Sequence, residues 1–312
     1  MRLITFADGK ASPPRAGLRV GAGVLDIAAA SAMVGTPLPA SMRELLATGQ
    51  AGLSVLRALL PLAESAPRRF AAHTLAEGQF RYHPPIPDAD KFICVGKNYR
   101  AHLEELKRTD LIKEMPQEVT GFVKLNSCLA GHLEPVVRPA DVPRLDYEPE
   151  LVFVIGKRAL GVKRDDNPLQ YVAGVTLLND LTDRDMQKRE VASGSRFWTA
   201  KNAPGFGPLG PEIVTLDEIA DPYDLWVTCA VNGEQRMRVN TRDQIWRIGD
   251  ILQHFSRHMP ILPGDMFSTG APGGVAVGKP NAEALFLQPG DVVECAIEGV
   301  TTLRNPIIAP GE

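Results

Sequence analysis

The sequence predicts an α+β protein in which a small N-terminal α/β domain precedes a strand-rich mixed sheet or roll. The first observation is a change near residue 86, where short strand-like runs and Ala/Leu-rich helical stretches give way to β-branched and aromatic runs. The second is that these later runs alternate with turn signals, with few helical patterns between them. A doubly wound α/β fold, whose strands alternate with longer helices, is therefore not expected.

The N-terminal domain is assigned to residues 1–86. Its strands are predicted in "MRLITFADG" and "AGLRVGAGVLDIA", and its helices in "SMRELLATG" and "LSVLRALLPLAES". The boundary follows from "YHPPIPDADK", because three prolines within five residues cannot continue a helix or a central strand.

The second domain, residues 87–312, carries two Pro-Gly-Asp turns, at 263–265 and 289–291. Its helices are predicted around 100–107, 183–191 and 243–258. Its strands are predicted in "KFICVG", "GFVKLN", "ELVFVIG", "YVAGVTLLND", "LWVTCAVNGE" and "VVECAIEGV".

The composition excludes several classes of function. The 34 basic and 37 acidic side chains give a formal charge of −3 without a Lys/Arg-rich block, so nucleic acid is not an expected partner. The four cysteines lack a C-x-x-C pair, so we expect reduced core residues rather than a zinc or redox site. Since neither a signal-peptide core nor an apolar run of roughly 20 residues is present, we expect a cytosolic protein that does not enter a membrane.

Acidic side chains alternate where a β-branched strand begins, in "DYEPELVFVIGKR", residues 146–158. Residues two apart project from one face of a strand, so Glu148 and Glu150 would repel each other there. One interpretation is an exposed edge with solvated acids. The other is a shared divalent cation that removes the repulsion.

A second apolar run, in "GVTLLNDLTDRD", ends in another acid, Asp180, before a helix for which Thr182 is the expected N-cap. Two strands that end in acids can bring Glu148, Glu150 and Asp180 together. Carboxylate oxygens suit a hard cation such as Mg²⁺ or Mn²⁺. The second acid therefore favours the metal site over the exposed edge.

The stretch "VGKNYRAHLEELKR" places His102 and Glu105 three residues apart, on one face if the segment is helical. A carboxylate at that spacing can orient the imidazole and stabilise its charged form, which suits a general base. The alternative is a solvated helix face with a fortuitous pair, because charged residues of ordinary surface type surround it.

Six stretches, taken in order, resemble the fumarylacetoacetate hydrolase family, in particular its bacterial members with a small N-terminal domain. The resemblance covers roughly residues 92–307 and is carried by "VGKNYRAHLEE", "YEPELVFVIGKR", "NDLTDRDMQ", "FWTAKN", "LPGDMFSTGAPGGV" and "PGDVVECAIEGVTTLRNPI". It implies a mixed β-roll, a homodimer, and Mg²⁺ or Mn²⁺ acting on small oxo acids in catabolism.

The resemblance also implies roles for individual residues. By this resemblance, Glu148, Glu150 and Asp180 are metal ligands. His102 and Glu105 fall on the water-activating pair, and Lys201 falls on the active-site lysine. The residues expected to line the substrate pocket are Tyr99, Lys124, Arg184, Gln187 and Thr269.

Two departures from the family pattern bear on the identity of the substrate. Ala271, in "TGAP", stands where the family often has threonine, and Pro204 stands where many relatives carry an acid. Both leave the residues at the metal and base positions unchanged.

The expected reaction is metal-dependent hydrolysis of a C–C bond in a 2,4-dioxo acid, such as an acylpyruvate or a fumarylacetoacetate-like compound. His102 would activate the water, and Lys201 would hold the developing oxyanion or the substrate carboxylate. Decarboxylation of an oxo acid such as oxaloacetate, or hydration or tautomerisation of an oxo acid, would use the same enolate stabilisation. A non-catalytic metal-binding or scaffold protein is the alternative outside enzymes.

Overall fold

The computed structural model of the protein describes residues 1–9, 12–101, 103–104, 117–195 and 199–312. Its strands are β1 (Arg2–Ala7), β2 (Arg15–Val20), β3 (Gly23–Asp26), β4 (Thr74–Leu75), β5 (Arg81–Tyr82), β6 (Phe92–Gly96), β7 (Thr120–Val123), β8 (Leu129–Ala130), β9 (Val136–Val137), β10 (Leu145–Asp146), β11 (Pro149–Ile155), β12 (Val172–Asn179), β13 (Thr182–Asp183), β14 (Gly207–Thr215), β15 (Trp226–Val231), β16 (Glu234–Asn240), β17 (Met266–Ser268), β18 (Val292–Ile297) and β19 (Thr301–Ile308). Its α-helices are α1 (Ile27–Met33), α2 (Met42–Ala47), α3 (Gly49–Ser65), α4 (Pro67–Phe70), α5 (Arg184–Ala192) and α6 (Ile248–Phe255).

The larger sheet is open and mixed. Its strands run in the order β4-β3-β2-β1-β14-β12-β11-β17-β6-β7, with β5 pairing with β1 and β8 with β14. Most neighbours are antiparallel, whereas β17 pairs with β6, and β14 with β8, in parallel. A smaller sheet has the order β16-β15-β18-β19-β9. This arrangement confirms the predicted strand-rich mixed fold.

Strand β11 is buried on both faces, which explains its continuous apolar run. Leu151 and Phe153 belong to the core that includes residues of the smaller sheet. Val152 and Val154 belong to the core that includes residues of helix α3. β-branched and aromatic side chains suit a strand covered on both sides. Because side chains alternate along a strand, Glu150 projects from the same face as Val152.

The N-terminal strands continue the larger sheet. Strand β1 pairs with β14, with Leu3 opposite Ile213. Helix α3 buries Leu53 and Leu56 in the core that also contains Val152. These contacts make strands β1 to β4 part of one sheet with the later strands. The division into two domains at residue 86 stays a prediction.

Both Pro-Gly-Asp turns form as predicted. Gly264 and Gly290 have φ values of +88° and +96°, a conformation that other residues rarely adopt. In each turn the aspartate side chain accepts a hydrogen bond from a backbone N–H three residues earlier, at 2.7 Å for Asp265 and at 2.7 Å for Asp291. Helices α5 and α6 confirm the predictions near 183–191 and 243–258, while residues 102 and 105–107 of the helix predicted around 100–107 lie outside the described residues.

The predicted N-cap of helix α5 is wrong by one residue. Asp183 caps the helix, because its carboxylate accepts hydrogen bonds from the backbone N–H groups of Asp185 and Met186. Thr182 lies in strand β13, and its hydroxyl donates to the backbone carbonyl of Asp180 at 2.9 Å instead. A carboxylate at this position also interacts favourably with the helix dipole.

The four cysteines are free and buried, as predicted: Cys94, Cys128, Cys229 and Cys295. Within the part of the chain that the structure describes, no helix has both the length and the apolar character needed to cross a bilayer.

Candidate active site

The ends of two antiparallel strands bring Glu148 and Asp180 side by side. In the pairing of β11 with β12, Pro149 lies opposite Asn179, so the residues just outside each strand end are neighbours. The backbone N–H of Asp180 donates to the carbonyl of Glu148 at 2.8 Å. The N–H of Glu148 donates to the side-chain oxygen of Asn179 at 2.9 Å.

The acids at this junction are buried. Glu148, Glu150 and Asp180 have exposed fractions of 3%, 2% and 0%. The interpretation as an exposed edge with solvated acids is therefore wrong. A buried carboxylate without a partner costs several kcal/mol, so the groups around these acids decide what the site can do.

Lys201 is the buried cation between two of these acids. Its Nζ donates to Glu148 Oε2 and, at 2.6 Å, to Asp180 Oδ2. Burial opposes the charge of Lys201, but the carboxylates of Asp180, Glu148 and Glu150 raise its pKa overall. Lys201 is therefore a fixed positive charge rather than a proton carrier near neutral pH.

Helix α5 fixes the segment that leads to Lys201. The buried carboxylate of Glu190 accepts hydrogen bonds from the backbone N–H of Thr199 at 2.6 Å and of Ala200 at 3.1 Å. The N–H of Asp183, at the start of the helix, donates to the carbonyl of Ala200 at 2.9 Å.

Lys124 is held entirely by protein groups. Its Nζ donates to Asp180 Oδ1 at 2.7 Å, to the carbonyl of Phe206 at 2.9 Å and to the carbonyl of Lys201. An ammonium group has three protons, and all three are used here. Lys124 is therefore better suited to position Asp180 and Lys201 than to bind the substrate, the role that the family resemblance implies for it.

Arg184 is a third buried cation of the site. Its Nε donates to Asp146 at 2.8 Å, its Nη2 lies 2.6 Å from Glu148 Oε1, and its Nη1 donates to Gln187 at 2.9 Å. Burial opposes the charge of Arg184, but Asp146 and Glu148 raise its pKa further above its usual range. The hydrogen bond from Arg184 Nη1 places the predicted pocket residue Gln187 beside Arg184.

Asp146 belongs to this site, although no role for it was predicted from the sequence. Besides binding Arg184, its carboxylate accepts the backbone N–H groups of Ala276 at 2.9 Å and Val277 at 3.0 Å. It therefore joins helix α5 to the segment after the glycine-rich turn. The alternation of Asp146 with Glu148 and Glu150 was the signal that could have indicated it.

Glu150 accepts none of the hydrogen bonds that Lys201, Lys124 and Arg184 donate to described residues. Ser268 donates its hydroxyl to Glu150 Oε2. Donor atoms of Glu150, Asp180 and Cys94 lie within 4.8 Å of one another. Burial raises the pKa of Glu150 well above its usual value, and the charge of Asp180 raises it further. Burial also raises the pKa of the Cys94 thiol, and the charges of Asp180 and Glu150 raise it further. Carboxylate oxygens, rather than a thiol, are the ligands that hard cations prefer.

Tyr99 and Thr269 meet beside this cluster. The Tyr99 hydroxyl lies 3.3 Å from Thr269 Oγ1, and Thr269 donates to the carbonyl of Leu151, the residue after Glu150, at 3.0 Å. Burial raises the pKa of Tyr99 to about 12. The next residue, Gly270, has a φ of +90°, and a Cβ there would lie 2.5 Å from the carbonyl oxygen of Val95, so a glycine is required for this approach.

Two predicted catalytic residues, His102 and Glu105, lie outside the described residues. The structure thus brings Lys201, Arg184, Gln187 and Lys124 around the acids, with Tyr99 and Thr269 adjoining Glu150.

Comparison with known proteins identifies the family. Residues 91–308 match the family model described as fumarylacetoacetate (FAA) hydrolase C-terminal. The chain belongs to the fumarylacetoacetate hydrolase family. It is therefore an enzyme of that family, as the six sequence stretches predicted.

Relatives of this family member differ in the reactions that their names give. The mitochondrial oxaloacetate tautomerase fahd2 of Xenopus laevis is 32% identical over 310 residues, which cover 99% of this chain and 90% of that protein. A putative HpcE protein from Mycobacterium smegmatis has a TM-score of 0.80 at 30% identity, covering 99% of this chain and 100% of that one. Maleylpyruvate hydrolase from Sphingobium sp. SYK-6, solved in complex with manganese(II) ion and pyruvate, has a TM-score of 0.73 at 27% identity, covering 99% of each chain. The predicted homodimer and cytosolic location stay predictions.

Proposed function

We propose that this member of the fumarylacetoacetate hydrolase family uses a divalent cation to process a small 2-oxo acid through its enolate. One observation carries the proposal: buried carboxylates and cations are packed together where Lys201 Nζ contacts both Glu148 and Asp180. A cluster of opposite charges excluded from water is suited to a substrate that is itself an anion and that develops further negative charge as it reacts.

The donor set fits Mg²⁺ or Mn²⁺. Glu148, Glu150 and Asp180 are the residues that would hold the ion, and their carboxylate oxygens are the ligands that hard cations prefer. Glu150 and Asp180 have oxygens within 4.8 Å of each other, close enough for one ion to bind both. When bound, the ion would polarise the oxo group of the substrate. The related maleylpyruvate hydrolase, solved with manganese(II) and pyruvate, supports this class of ion and of substrate.

The side chains around the acids bind and orient the substrate. Arg184 and Lys201 are fixed cations whose orientation is set by Asp146, Glu148 and Asp180. They would attract the carboxylate of an oxo acid, and Lys201 would stabilise negative charge that develops on its oxygen. Because these groups are buried, little water would screen the interaction.

Hydrolytic cleavage of a 2,4-dioxo acid is the reaction that we assign first. In this proposal His102, oriented by Glu105, removes a proton from the water that attacks the carbonyl remote from the carboxylate. The C–C bond then breaks, and the electron pair that leaves with the pyruvate fragment forms an enolate. Protonation of that enolate completes the reaction.

Tautomerisation of oxaloacetate is the second candidate. The similarity to the oxaloacetate tautomerase from Xenopus laevis favours it, because the alignment at 32% identity covers 99% of this chain. That reaction needs the same enolate but no attacking water. The keto and enol forms of oxaloacetate differ only in the position of one proton and of the double bond. Decarboxylation of oxaloacetate would use the same enolate stabilisation.

Removing one carboxylate tests the metal site. In wild-type protein we expect Mn²⁺ or Mg²⁺ to raise the melting temperature, because a ligand that binds only the folded state stabilises it. Glu150→Gln should lose both this rise and the activity, whereas Glu234→Gln, at an exposed position on β16, should keep both. A metal-dependent rise that survives in Glu150→Gln, or full activity after chelation of divalent ions, would contradict the proposal.

A panel of substrates separates the candidate reactions. Acylpyruvates report cleavage by loss of the dioxo chromophore, and oxaloacetate reports tautomerisation and loss of CO₂ in separate assays. We expect every activity that is present to require the divalent cation. Tautomerisation of oxaloacetate without cleavage of any acylpyruvate would replace the first assignment by the second.

A further inference from the structure

Three separate segments are joined where the chain leaves strand β6. The backbone carbonyl of Asn98 accepts from the N–H of Ile245 at 2.7 Å, and its side-chain oxygen accepts from the N–H of Trp246 at 2.7 Å. The side-chain amide of Asn98 donates to the carbonyls of Trp246 at 3.0 Å and Thr269 at 2.9 Å. Asn98 therefore holds the segments at 244–246 and 269 against Tyr99.

The side chains in this junction form a chain of hydrogen bonds with one direction. Thr269 uses its single hydroxyl proton to donate to the carbonyl of Leu151 at 3.0 Å. The contact of 3.3 Å between Tyr99 and Thr269 must then use the proton of Tyr99. Gln244 in turn donates from Nε2 to the Tyr99 hydroxyl at 3.0 Å. Both hydroxyl protons are thereby committed to partners inside the protein.

The other end of the Gln244 side chain is an unsatisfied acceptor. Gln244 is 7% exposed, and its Oε1 atom is buried without a hydrogen-bond partner among the residues that the structure describes. Leaving a buried acceptor unpaired destabilises the folded state, so a side chain of this kind calls for an explanation. An apolar side chain of similar volume would remove the unpaired acceptor, although it would also lose the hydrogen bond to Tyr99.

We infer that Gln244 is a specificity-determining residue, and that Gln244, Tyr99 and Thr269 together recognise a hydroxyl group on the substrate. We call these three residues the acceptor group. The inference rests on the proposed function and on the prediction, made from the family resemblance, that Tyr99 and Thr269 line the substrate pocket. Because the hydroxyl protons of the acceptor group are committed, its remaining lone pairs and Gln244 Oε1 accept hydrogen bonds.

This assignment narrows the class of substrate. An enol or alcohol hydroxyl can donate to the acceptor group, whereas a carboxylate or a ketone oxygen cannot. The carboxylate of the same molecule would lie toward Lys201 and Arg184, the cations of the site. The preferred ligand is therefore an oxo acid that carries a hydroxyl group, such as the enol form of a dioxo acid. Both reactions proposed above pass through substrates with such an enol form.

The test compares two small oxo acids that differ by one hydroxyl group, pyruvate and hydroxypyruvate. Their affinities are measured by calorimetry in the presence of Mn²⁺, for wild-type protein, for Gln244→Met and for Gln253→Met. Methionine has nearly the volume of glutamine but neither donates nor accepts strongly. Gln253, half-buried on helix α6, provides the matched control.

We expect wild-type protein to bind hydroxypyruvate about fivefold to tenfold more tightly than pyruvate, the effect of one hydrogen bond. In Gln244→Met this ratio should approach one and the affinity for pyruvate should hardly change. The melting temperature should change little, because loss of the unpaired acceptor offsets loss of the hydrogen bond to Tyr99. Gln253→Met should keep the wild-type ratio.

Two other outcomes would contradict the inference, and only the second would also contradict the proposed function. Equal affinities in the wild-type protein, or an undiminished ratio in Gln244→Met, would overturn the inference and leave the proposed function standing. If neither acid binds to the wild-type protein with Mn²⁺ or Mg²⁺, the proposed function fails, and the inference fails with it.

Discussion

Asp146 fixes the orientation of Arg184 through a hydrogen bond of 2.8 Å between Oδ2 and Nε, with both side chains almost completely buried. The same carboxylate accepts two backbone N–H groups from the segment at 276–277. A cation that binds a substrate carboxylate must be held in one orientation to bind it well. The charge of Asp146 therefore matters even though it is not expected to touch the substrate.

Replacing Asp146 by asparagine keeps the shape of the side chain but removes its charge. We expect Asp146→Asn to raise KM roughly tenfold or more, because Arg184 loses a charged partner and is held less firmly. Steady-state kinetics on whichever oxo acid proves to be the substrate would measure this. Asp221→Asn, at an exposed turn, serves as the control and should leave KM unchanged. A normal KM in Asp146→Asn would mean that Glu148 and Gln187 position Arg184 adequately without the charge of Asp146.

Glu212 ties the N-terminal strands to the rest of the sheet. This buried carboxylate on β14 accepts from Arg2 and from Arg19, at 2.8 Å in each case. Glu212→Ala would leave both guanidinium groups without this partner, and we expect a loss of about 2 to 3 kcal/mol in the free energy of unfolding. Urea denaturation, followed by two spectroscopic signals, would measure it.

The control for Glu212 is Glu298, which pairs with Arg238 at the surface. Since solvent screens that pair, Glu298→Ala should change the free energy of unfolding little. A loss in Glu212→Ala no larger than in this control would contradict the assigned role. Non-coincident transitions of the two signals in Glu212→Ala would indicate that residues 1–86 unfold as a separate domain.

His132 should make stability depend on pH. The pKa of His132 is lowered to about 4, chiefly by burial and also by Arg19 and Arg304, while Glu77 and Glu212 oppose the shift. Its ring packs edge-on against Tyr82, with centroids 4.9 Å apart, and its Nδ1 accepts the backbone N–H of Arg304 at 3.1 Å. The folded state therefore favours the neutral ring.

The direction of the pH effect follows from linkage. Between pH 6.5 and about 4 the unfolded chain binds a proton at His132 that the folded protein does not bind. The stabilisation that the neutral ring contributes is therefore complete above pH 6.5 and is lost as the pH falls toward 4. His132→Asn retains an acceptor for Arg304 but has no titrating ring. Urea denaturation from pH 4 to pH 7 should show a shallower dependence on pH in the variant. Parallel curves for the two proteins would exclude His132 as the source.

Much of the fold and of the acidic cluster could be predicted from the sequence because the signals were local. Alternation within "DYEPELVFVIGKR" placed Glu148 and Glu150 on one face, and the apolar runs indicated the buried strands. The N-cap of helix α5 was misplaced by one residue because Thr182 and Asp183 both have side chains that can cap a helix.

The contacts that sequence reasoning missed join distant segments. Gln244 lies 145 residues from Tyr99, and Glu212 lies 193 residues from Arg19. No spacing pattern connects such pairs, because they meet only through the packing of the sheet. Lys124 shows the related problem of an expected role that its contacts do not favour, since a sequence cannot tell whether a buried ammonium retains a proton for a ligand.

His102 should separate hydrolysis from decarboxylation. Hydrolysis requires an activated water, whereas loss of CO₂ from oxaloacetate requires only the bound oxo acid and a stabilised enolate. We expect His102→Ala to lower acylpyruvate cleavage by roughly 10²-fold or more, the usual effect of removing a general base. Oxaloacetate decarboxylation, if present, should fall much less, because Glu148, Glu150 and Asp180 remain.

Kinetics on both substrates at saturating Mg²⁺ and fixed pH would measure the two losses in one preparation. His258→Ala, which changes an exposed histidine after helix α6, controls for the general effect of losing an imidazole and should change neither rate. Equal losses on the two substrates in His102→Ala would assign His102 to positioning of the substrate rather than to activation of water. Unchanged hydrolysis would remove His102 from the mechanism, and the base would then have to be sought among other residues near the acids.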